Sequence, residues 1–551
     1  MSDDKNKENK SKEYGEACIR HFEQLSGRRG NWEALWEEIA QRVLPSHSQL
    51  FQSKGAGRTD GAKRTEYIYD STASIALERF GAILDSMLTP RNQKWHRLTV
   101  SDKSLARDRQ VKLYFEEANQ VLFKYRYAPK ANYASQNQQN YQCLGAFGTG
   151  SLFIDALANE PGFRYKAMHL GEIYFAENHQ GQIDTAYRHF EMTCRQAIQK
   201  WGEKLPKKII EAAKTDPSRT FWFLHVVKPR GEDFDPGRLD HKGMPFTGDY
   251  ISFEEKCVVE EGGFTTFPYP SSRYTQAPGE VYGRGPIMSV LPAIKTLNEQ
   301  KKTVLKQGQR TVDPVYLMHD DGILDTFSVK PGAMVAGGVD AQGRPLVHTL
   351  PTGRIDIGKE LMDDERAVIN DSCLVTLFQI LTENPTMTAT EVIERTKEKG
   401  ILLSPTVGRQ QDEYLGPKIE RELDLASRQG LLPPMPKALI EAKGEYKIEY
   451  DSPMSRAAKA EEASGIARTI ETVLNIVNVT QDPAPLDHFN WDQIVPSIAE
   501  IQGVPAAWMR GLDEVQQIRE GRAQQAETEQ AIAAAPGAAA LANAAVKAKG
   551  K

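Results

Sequence analysis

The sequence predicts an α+β fold that is mainly helical, and three features lead to this prediction. Apolar residues recur at three- and four-residue steps early in the chain, which is typical of amphipathic helices. Short aromatic and β-branched runs, separated by Gly, Asn and Asp, fill about residues 141–267 and are typical of strands. Two long helical patterns, 286–309 and 355–381, flank a β-rich segment at 310–354.

Length and composition are those of a globular protein with more than one packed unit. The 551 residues exceed the roughly 250–300 at which single cores stop growing. A formal net charge of -5 excludes a surface that binds polyanions everywhere, so any nucleic-acid contact must be local. The five cysteines form no C-x-x-C pair, and neither a secretory signal nor an apolar run of membrane-spanning length stands out. We therefore expect a soluble cytoplasmic protein.

The first part of the chain predicts a tail and two helices. Residues 1–13 are highly charged and are expected to be disordered. A helix is predicted in NWEALWEEIAQRVLP, with an apolar face made of Trp32, Leu35, Trp36, Ile39 and Val43. A second helix is predicted in YDSTASIALERFGAILDSMLTP, with Ser71 or Asp70 as its cap and an apolar face made of Ile75, Leu77, Phe80, Ile83, Leu84 and Met87. The stretch QKWHRLTV after it is predicted to be a strand.

The two long helices carry opposite charge. The first is basic against the single acid Glu299, through Lys295, Lys301, Lys302, Lys306 and Arg310. The second is acidic over its first two-thirds, through Asp356, Glu360, Asp363, Asp364, Glu365 and Asp371. Because a short β-rich segment joins them, the predicted arrangement is a helical hairpin with a β cap.

The C-terminal third is predicted to be mostly helical. Residues 382–395 read as a polar loop and a short helix, with Thr388 and Glu391 in capping-box spacing. Residues 396–454 add helices and one strand, and residues 455–530 are predicted to be helical. The Ala-rich stretch 531–551 is of low complexity and is expected to be disordered.

A search for catalytic motifs gives no candidate. The glycine-rich GAFGTGS lacks the lysine that a phosphate-binding P-loop requires, so we interpret it as a structural turn. GRGP, at residues 283–286, is interpreted as a domain hinge, and DFD, at 233–235, as a solvated acidic loop. The sequence contains neither H-E-x-x-H nor G-x-S-x-G. The prediction is a protein that is not an enzyme and that binds neither a cofactor nor a metal.

The order of these segments resembles a known family. SMLTPRNQKWHRL and YGRGPIMSVLPAIKTLNEQ are the stretches that carry the resemblance, together with the sequence of long helix, β segment and long helix. In these features the chain is similar to the head-to-tail connecting (portal) protein of podovirus-type bacteriophages, over about residues 31–525. None of the matching stretches is catalytic, so the resemblance depends on pattern and order.

The resemblance implies a ring, usually of twelve subunits, at one capsid vertex of the virion, with an axial channel for double-stranded DNA. It divides the chain into segments, which are a wing (14–285 and 396–454), a stem (286–309 and 355–381), a clip (310–354), a tunnel loop with a short helix (382–395) and a helical crown (455–530). It also implies partners, namely the major capsid protein, the terminase packaging motor, a tail adaptor, and scaffolding or internal core proteins. The terminal tails lie outside these segments.

The resemblance and the charge pattern together give candidates for contact with DNA. On the first long helix these are Lys295, Lys302 and Lys306, which either face the channel or pair with acids of the second helix, within or between subunits. In the tunnel loop they are Asn384, Thr386 and Thr388. Binding is expected to be independent of base sequence, because the chain contains no recognisable base-reading helix.

Two other classes of protein remain open at this point. One is a different structural component of a phage, of the tail or the scaffold, without a DNA channel. The other is an enzyme of an unrecognised family. A ring with a central hole in negative-stain images would favour the portal interpretation over both.

Overall fold

The computed structural model of the protein describes residues 2–49, 61–102, 104–318, 334, 338–349, 355–376, 378, 404–442, 444–451, 453–482, 484–501, 504, 508–511 and 514–526. The chain divides into two compact units, residues 1–91 with 125–429 and residues 92–124 with 430–551. Helices predominate, and sheets accompany them, as the α+β class predicts. Among the described helices, none has the combination of length and hydropathy that crossing a membrane requires.

Thirteen helices are numbered here in chain order. They are α1 (Ser2–Gly27), α2 (Gly30–Arg42), α3 (Thr72–Leu88), α4 (Arg109–Arg126), α5 (Tyr133–Phe147), α6 (Cys194–Trp201), α7 (Lys207–Thr215), α8 (Pro286–Val312), α9 (Ile355–Ser372), α10 (Gly416–Arg428), α11 (Lys437–Glu441), α12 (Pro453–Thr480) and α13 (Trp491–Ile501). A π-helical turn, Gln411–Leu415, and helical residues 404–410 lead directly into α10. Residues 514–526 are also helical.

The strands are short, and those that pair in the described residues are antiparallel. They are β1 (His96–Thr99), β2 (Thr149–Ala156), β3 (Phe163–Ala167), β4 (Ile173–Glu177), β5 (Ile183–Thr193), β6 (Thr220–Val227), β7 (Phe246–Thr247), β8 (Asp249–Ser252), β9 (Cys257–Glu260), β10 (Gly263–Phe264), β11 (Ser271–Arg273), β12 (Tyr316–Met318), β13 (Val347–Thr349) and β14 (Lys447–Tyr450). The largest sheet has the order β4-β5-β6-β8-β9, and a second has the order β11-β2-β3. The strand predicted in QKWHRLTV is β1, which pairs with β14.

Helices cover both faces of the five-stranded sheet. Side chains alternate between the faces along each strand, so β6 contributes Leu224 and Val226 to one face and Phe221 and Phe223 to the other. Helix α1 packs on the first face through Cys18, Ile19 and Phe22. Helices α6 and α7 pack on the second face through Cys194, Ala197, Trp201 and Ile209. This sheet with its helices forms the core of one half of the first unit.

The structure differs from the prediction at the N-terminus. Residues 1–13 were expected to be disordered, but α1 begins at Ser2. The amide of Val258, on an edge strand, donates to the Ser11 hydroxyl at 3.1 Å, and the Tyr14 hydroxyl donates to Asp249 at 2.8 Å. High charge alone predicts a solvated chain. This helix is ordered because it packs on one face of the sheet and bonds to the edge strand.

Two helix predictions also need correction. Ile75 was assigned to the buried face of α3, but it is 46 % exposed, whereas Leu77, Phe80 and Leu84 are buried. At about 100° per residue Ile75 lies on the opposite side of the helix from these three. The second long helix was predicted over 355–381, but α9 ends at Ser372, and Leu374 has a left-handed φ of 62°. That conformation is incompatible with a continuing right-handed helix.

A buried ionic cluster joins α4, α5, β3 and α10. Arg126 and Glu422 are fully buried and form an ion pair, in which the Arg126 Nε donates to Glu422 Oε2 at 3.1 Å. The Tyr165 hydroxyl donates to the other carboxylate oxygen at 2.7 Å. Lys418 donates to the Tyr133 hydroxyl at 2.5 Å. Burial, and then the charge of Arg126, hold the pKa of Lys418 well below its usual value.

The second unit has a small core and a long exposed helical part. Its buried apolar side chains are Trp95, Leu98, Val100, Val111, Tyr114, Phe115, Ala118, Leu122 and Leu439. Of the side chains described between residues 464 and 526, none is buried. The helices predicted in this region are present as α12, α13 and 514–526, within the described residues.

Candidate functional site on a pair of long helices

The first long helix begins next to a contact between two glycine-rich motifs. Gly148, from GAFGTGS, lies between α5 and β2 with a φ of 70°. Gly283, from GRGP, packs against it, and its amide donates to the Thr149 hydroxyl at 2.8 Å. A Cβ at Gly285 would lie 2.6 Å from the carbonyl oxygen of Gly145. GAFGTGS is therefore a structural turn, and it packs against the backbone of the GRGP segment.

Helices α8 and α9 lie antiparallel, and they are called the paired helices below. At one end, the Ser372 hydroxyl of α9 donates to the carbonyl oxygen of Pro286, the first residue of α8. Towards the other end, a Cβ at Gly358 would lie 2.8 Å from Val304 Cγ2, so glycine permits a close approach there. The strands β12 and β13, between the paired helices in sequence, pair with each other in an antiparallel arrangement. The predicted hairpin with a β cap is thus present in the described residues.

Among the described residues, the buried side chains of α8 all lie in its first half. Helix α8 buries Ile287, Val290, Leu291, Ile294, Leu297 and Asn298. From Glu299 to Val312, all of which the structure describes, no residue is buried. In the described residues, the outer half of α8 is therefore accessible to other molecules.

Asn298 and Asp70 bind the helices to the segment before α3. Asn298 Oδ1 accepts from the amides of Tyr69 and Asp70 at 2.8 and 3.1 Å. Arg366, on α9, donates to Asp70 at 2.6 Å, and the amide of Thr72 also donates to this carboxylate. Burial alone would raise the pKa of Asp70, but the bonds from Thr72 and Arg366 outweigh it and hold the pKa below its usual value. Of the two capping candidates, Asp70 is the one whose carboxylate accepts these bonds.

The three predicted lysines lie on one side of α8. At about 3.6 residues per turn, Lys295, Lys302 and Lys306 fall within an arc of about 40°. Lys295 forms an ion pair of 2.9 Å with Glu38 of α2, and Lys302 one of 3.5 Å with Glu299 of its own helix. Lys306 is exposed. Neither of these two pairs joins α8 to the acidic α9, so they do not neutralise the carboxylates of α9.

Helix α9 also presents an apolar stripe. Ile357, Leu361 and Val368 lie within an arc of about 40° and are each about 50 % exposed. Helix α8 offers an open groove of about 580 Å³ next to α9, lined by Lys295, Thr296, Glu299, Gln300, Thr303, Val304, Gln307 and Gly358. The paired helices therefore expose an apolar surface, an acidic surface and a basic surface in close proximity.

The tunnel-loop candidates Asn384, Thr386 and Thr388 lie outside the described residues. The sequence did not predict that Glu38 pairs with Lys295, or that Asn298 and Arg366 fix the paired helices. Each of these contacts joins residues far apart in the chain, and no local pattern marks them. An asparagine within the apolar face of α8 is the one sequence signal that could have indicated Asn298.

Comparisons with known proteins identify the family of this chain. The family model described as bacteriophage head to tail connecting protein matches residues 15–509. The chain is similar to a probable portal protein of Bordetella phage BPP-1, with 27 % identity over 524 residues, which cover 93 % of this chain and 91 % of that protein. It is also similar to the portal protein of Salmonella phage epsilon15, with 26 % identity over 533 residues, which cover 94 % and 93 %. The chain belongs to the family of bacteriophage head to tail connecting proteins.

Proposed function

We propose that copies of this protein close into a ring at one capsid vertex of a phage, and that double-stranded DNA passes through the axis of the ring during packaging and ejection. The family supports a ring of about twelve subunits, with α8 and α9 as its stem and the β12–β13 segment as its clip. The protein has a structural role in this proposal and is not an enzyme. The ATP chemistry of packaging belongs to the terminase motor.

The observation that carries the proposal is the exposed apolar stripe of α9. Apolar side chains on a helix that protrudes from the core are stabilised when a second surface covers them. In a ring, the stripe Ile357, Leu361 and Val368 packs into the groove of the next subunit, whose lining includes Val304. The acids of α9 then face the lysines of the neighbouring α8. This arrangement favours the alternative in which charge compensation takes place between subunits.

The lysine stripe gives the channel its contact with DNA. Repeated around a ring, Lys295, Lys302 and Lys306 form belts of positive charge that attract phosphates without reading sequence. DNA must also slide, so strong contacts to every phosphate would oppose translocation. Neighbouring carboxylates keep the net attraction small. Asn384, Thr386 and Thr388 contribute further polar contacts in the tunnel loop.

The remaining partners in this proposal follow from the position at the vertex. The wing contacts the major capsid protein, and the clip contacts first the terminase and later the tail adaptor. The crown faces the capsid interior, where scaffolding and internal core proteins reach it. The protein assembles in the host cytoplasm and becomes a component of the virion.

Ring formation is tested by charging the apolar stripe. Replacing Leu361 and Val368 by glutamate buries unpaired carboxylates at the contact, at a cost of roughly 2 kcal/mol or more each, so the assembled fraction should fall more than about tenfold. Light scattering and negative-stain images measure the assembled fraction. Ile440→Glu, at a residue that is 58 % exposed in the second unit, is the matched control and should assemble normally. Normal rings from the double variant would refute the stem contact.

DNA contact is tested by removing the lysine stripe. Replacing Lys295, Lys302 and Lys306 by alanine should reduce the yield of packaged genomes at least about tenfold, because each subunit loses three cations near the DNA. Genome copies per particle are measured by quantitative amplification after nuclease treatment. Three exposed lysines of the second unit serve as the alanine control, Lys124, Lys437 and Lys447. If yield and ring assembly both stay normal, the stripe is ordinary solvated surface.

A further inference from the structure

A loop at one end of the five-stranded sheet presents a fully exposed leucine. Residues 229–245, which connect β6 to β7, are called the knob, and Leu239 at its tip has no contact that shields it from solvent. Phe234, in the same loop, is 39 % exposed. A partner that covered these apolar side chains would gain free energy by removing them from water.

The knob is held in a fixed shape by its own hydrogen bonds. Arg230 donates from Nε to the carbonyl oxygen of Met244 at 3.2 Å, and from its Nη2 to that of Gly262 at 2.9 Å. The amide of Asp235 donates to the carbonyl oxygen of Lys242 at 3.2 Å. Asp240 accepts from the amide of Lys242 and pairs with Arg238. A preorganised loop loses little conformational entropy on binding, so the apolar tip is suited to docking.

The knob carries a net negative charge. Residues 229–245 contain four acids and three bases, but Arg230 binds backbone carbonyls and Arg238 pairs with Asp240. Asp233 and Asp235 are exposed, and Glu261 lies next to the loop, 3.3 Å from His241. A partner for the knob should therefore combine an apolar spot with positive charge.

The surface of α6 and α7 has this combination. Between residues 194 and 219 the sequence has seven bases and three acids, a net charge of +4. Arg195, Lys204, Lys207 and Lys214 are exposed there. Ile198, one helical turn from Arg195, is 38 % exposed. We call this surface the basic face.

The knob follows the end of β6, whereas the basic face lies on the helices that cover one face of the sheet. Strand β6 begins at Thr220, shortly after α7, and ends at Val227, shortly before the knob. A protein with two complementary patches at different places forms head-to-tail contacts between copies, and such contacts close into a ring when the rotation allows it.

From this geometry we infer that the knob of one subunit docks on the basic face of the next, with Leu239 against Ile198 and Asp233 and Asp235 against the lysines of α6 and α7. The inference rests on the proposed ring and adds a second contact, far from the paired helices. The occupant of the basic face is a second copy of this chain.

A cysteine pair tests the contact directly. The double variant Leu239→Cys with Ile198→Cys, in the full-length assembled protein under mild oxidation, should give a ladder of disulfide-linked chains on denaturing gels. Each single variant controls for the native cysteines, of which Cys18, Cys143, Cys194 and Cys373 are buried. Leu239→Cys with Ile440→Cys is the control pair and should give no ladder. Because a disulfide requires Cα atoms within about 7 Å, a ladder demonstrates proximity.

A charge exchange tests the electrostatics independently. Replacing Asp233 and Asp235 by lysine should lower the assembled fraction at least about fivefold, and adding Lys204→Glu and Lys207→Glu should restore most of it. Rings that form normally without a ladder, and that tolerate the reversed charges, overturn this contact while leaving the proposed function intact. A wild-type protein that never assembles overturns both.

Discussion

Replacing Glu422 by glutamine is expected to lower the free energy of unfolding by about 3–5 kcal/mol, because it leaves Arg126 as an uncompensated buried charge. Both side chains of the pair are fully buried. An arginine does not lose its proton at accessible pH, so the guanidinium cannot become neutral to relieve the cost. The Tyr165 hydroxyl also loses its charged acceptor. Urea unfolding at matched protein concentration measures the change, since assembly adds stability of its own.

Two controls distinguish the cost of an uncompensated buried charge from the loss of a partly exposed ion pair. Glu449→Gln breaks the pair with Arg97, in which both side chains are about one-third exposed, and should cost no more than about 1 kcal/mol. The double variant Arg126→Met with Glu422→Leu removes both charges and should retain most of the stability. A loss below about 1 kcal/mol for Glu422→Gln would show that water reaches the cluster.

Replacing Gly148 by alanine is expected to prevent accumulation of folded protein, with a loss of more than about 3 kcal/mol. The φ of 70° alone costs an L-residue roughly 1–2 kcal/mol. The added Cβ would also overlap the carbonyl oxygen of Gly283, which is backbone and cannot rotate away. The soluble yield and the unfolding midpoint measure the effect.

Gly308 is the matched control for this change. It lies inside α8, and a Cβ there would meet no atom within 4 Å. Alanine should therefore raise stability by about 0.5–1 kcal/mol, through its better helix propensity. If both alanine variants behaved alike, the junction of the two glycine motifs would not be tightly packed.

Local patterns in the sequence predicted elements well where one side of an element faces the core. Trp36, Ile39 and Val43 are buried as their spacing predicts, and α8 begins at Pro286 as expected. Prediction failed where a partner distant in sequence decides the outcome. The charged start of α1 is helical because it lies beside the sheet. Helix α9 ends at Ser372, two residues before the left-handed Leu374, and no residue type in the sequence predicts that conformation.

The candidate site was predictable in part for the same reason. A seven-residue spacing is nearly two helical turns, so it is enough to place Lys295 and Lys302 on one side of α8. The partner of Lys295 was not predictable, because Glu38 lies in α2, far from α8 in the sequence, whereas Glu299, the partner of Lys302, is one turn away in the same helix. The contact between the two glycine motifs was not predictable either. Each motif is a common turn sequence, and nothing in either one indicates that their backbones pack together.

The fixing of the paired helices at one end has a mechanical consequence. Helix α8 is clamped up to Asn298 and then continues for 14 residues, or about 21 Å, without core support. A helix that is fixed at one end bends most strongly at the fixed end when a force acts on its free end. Asn298, Asp70 and Arg366, together with the apolar side chains that α8 buries before them, therefore transmit a push or twist at the far tip to the body of the subunit.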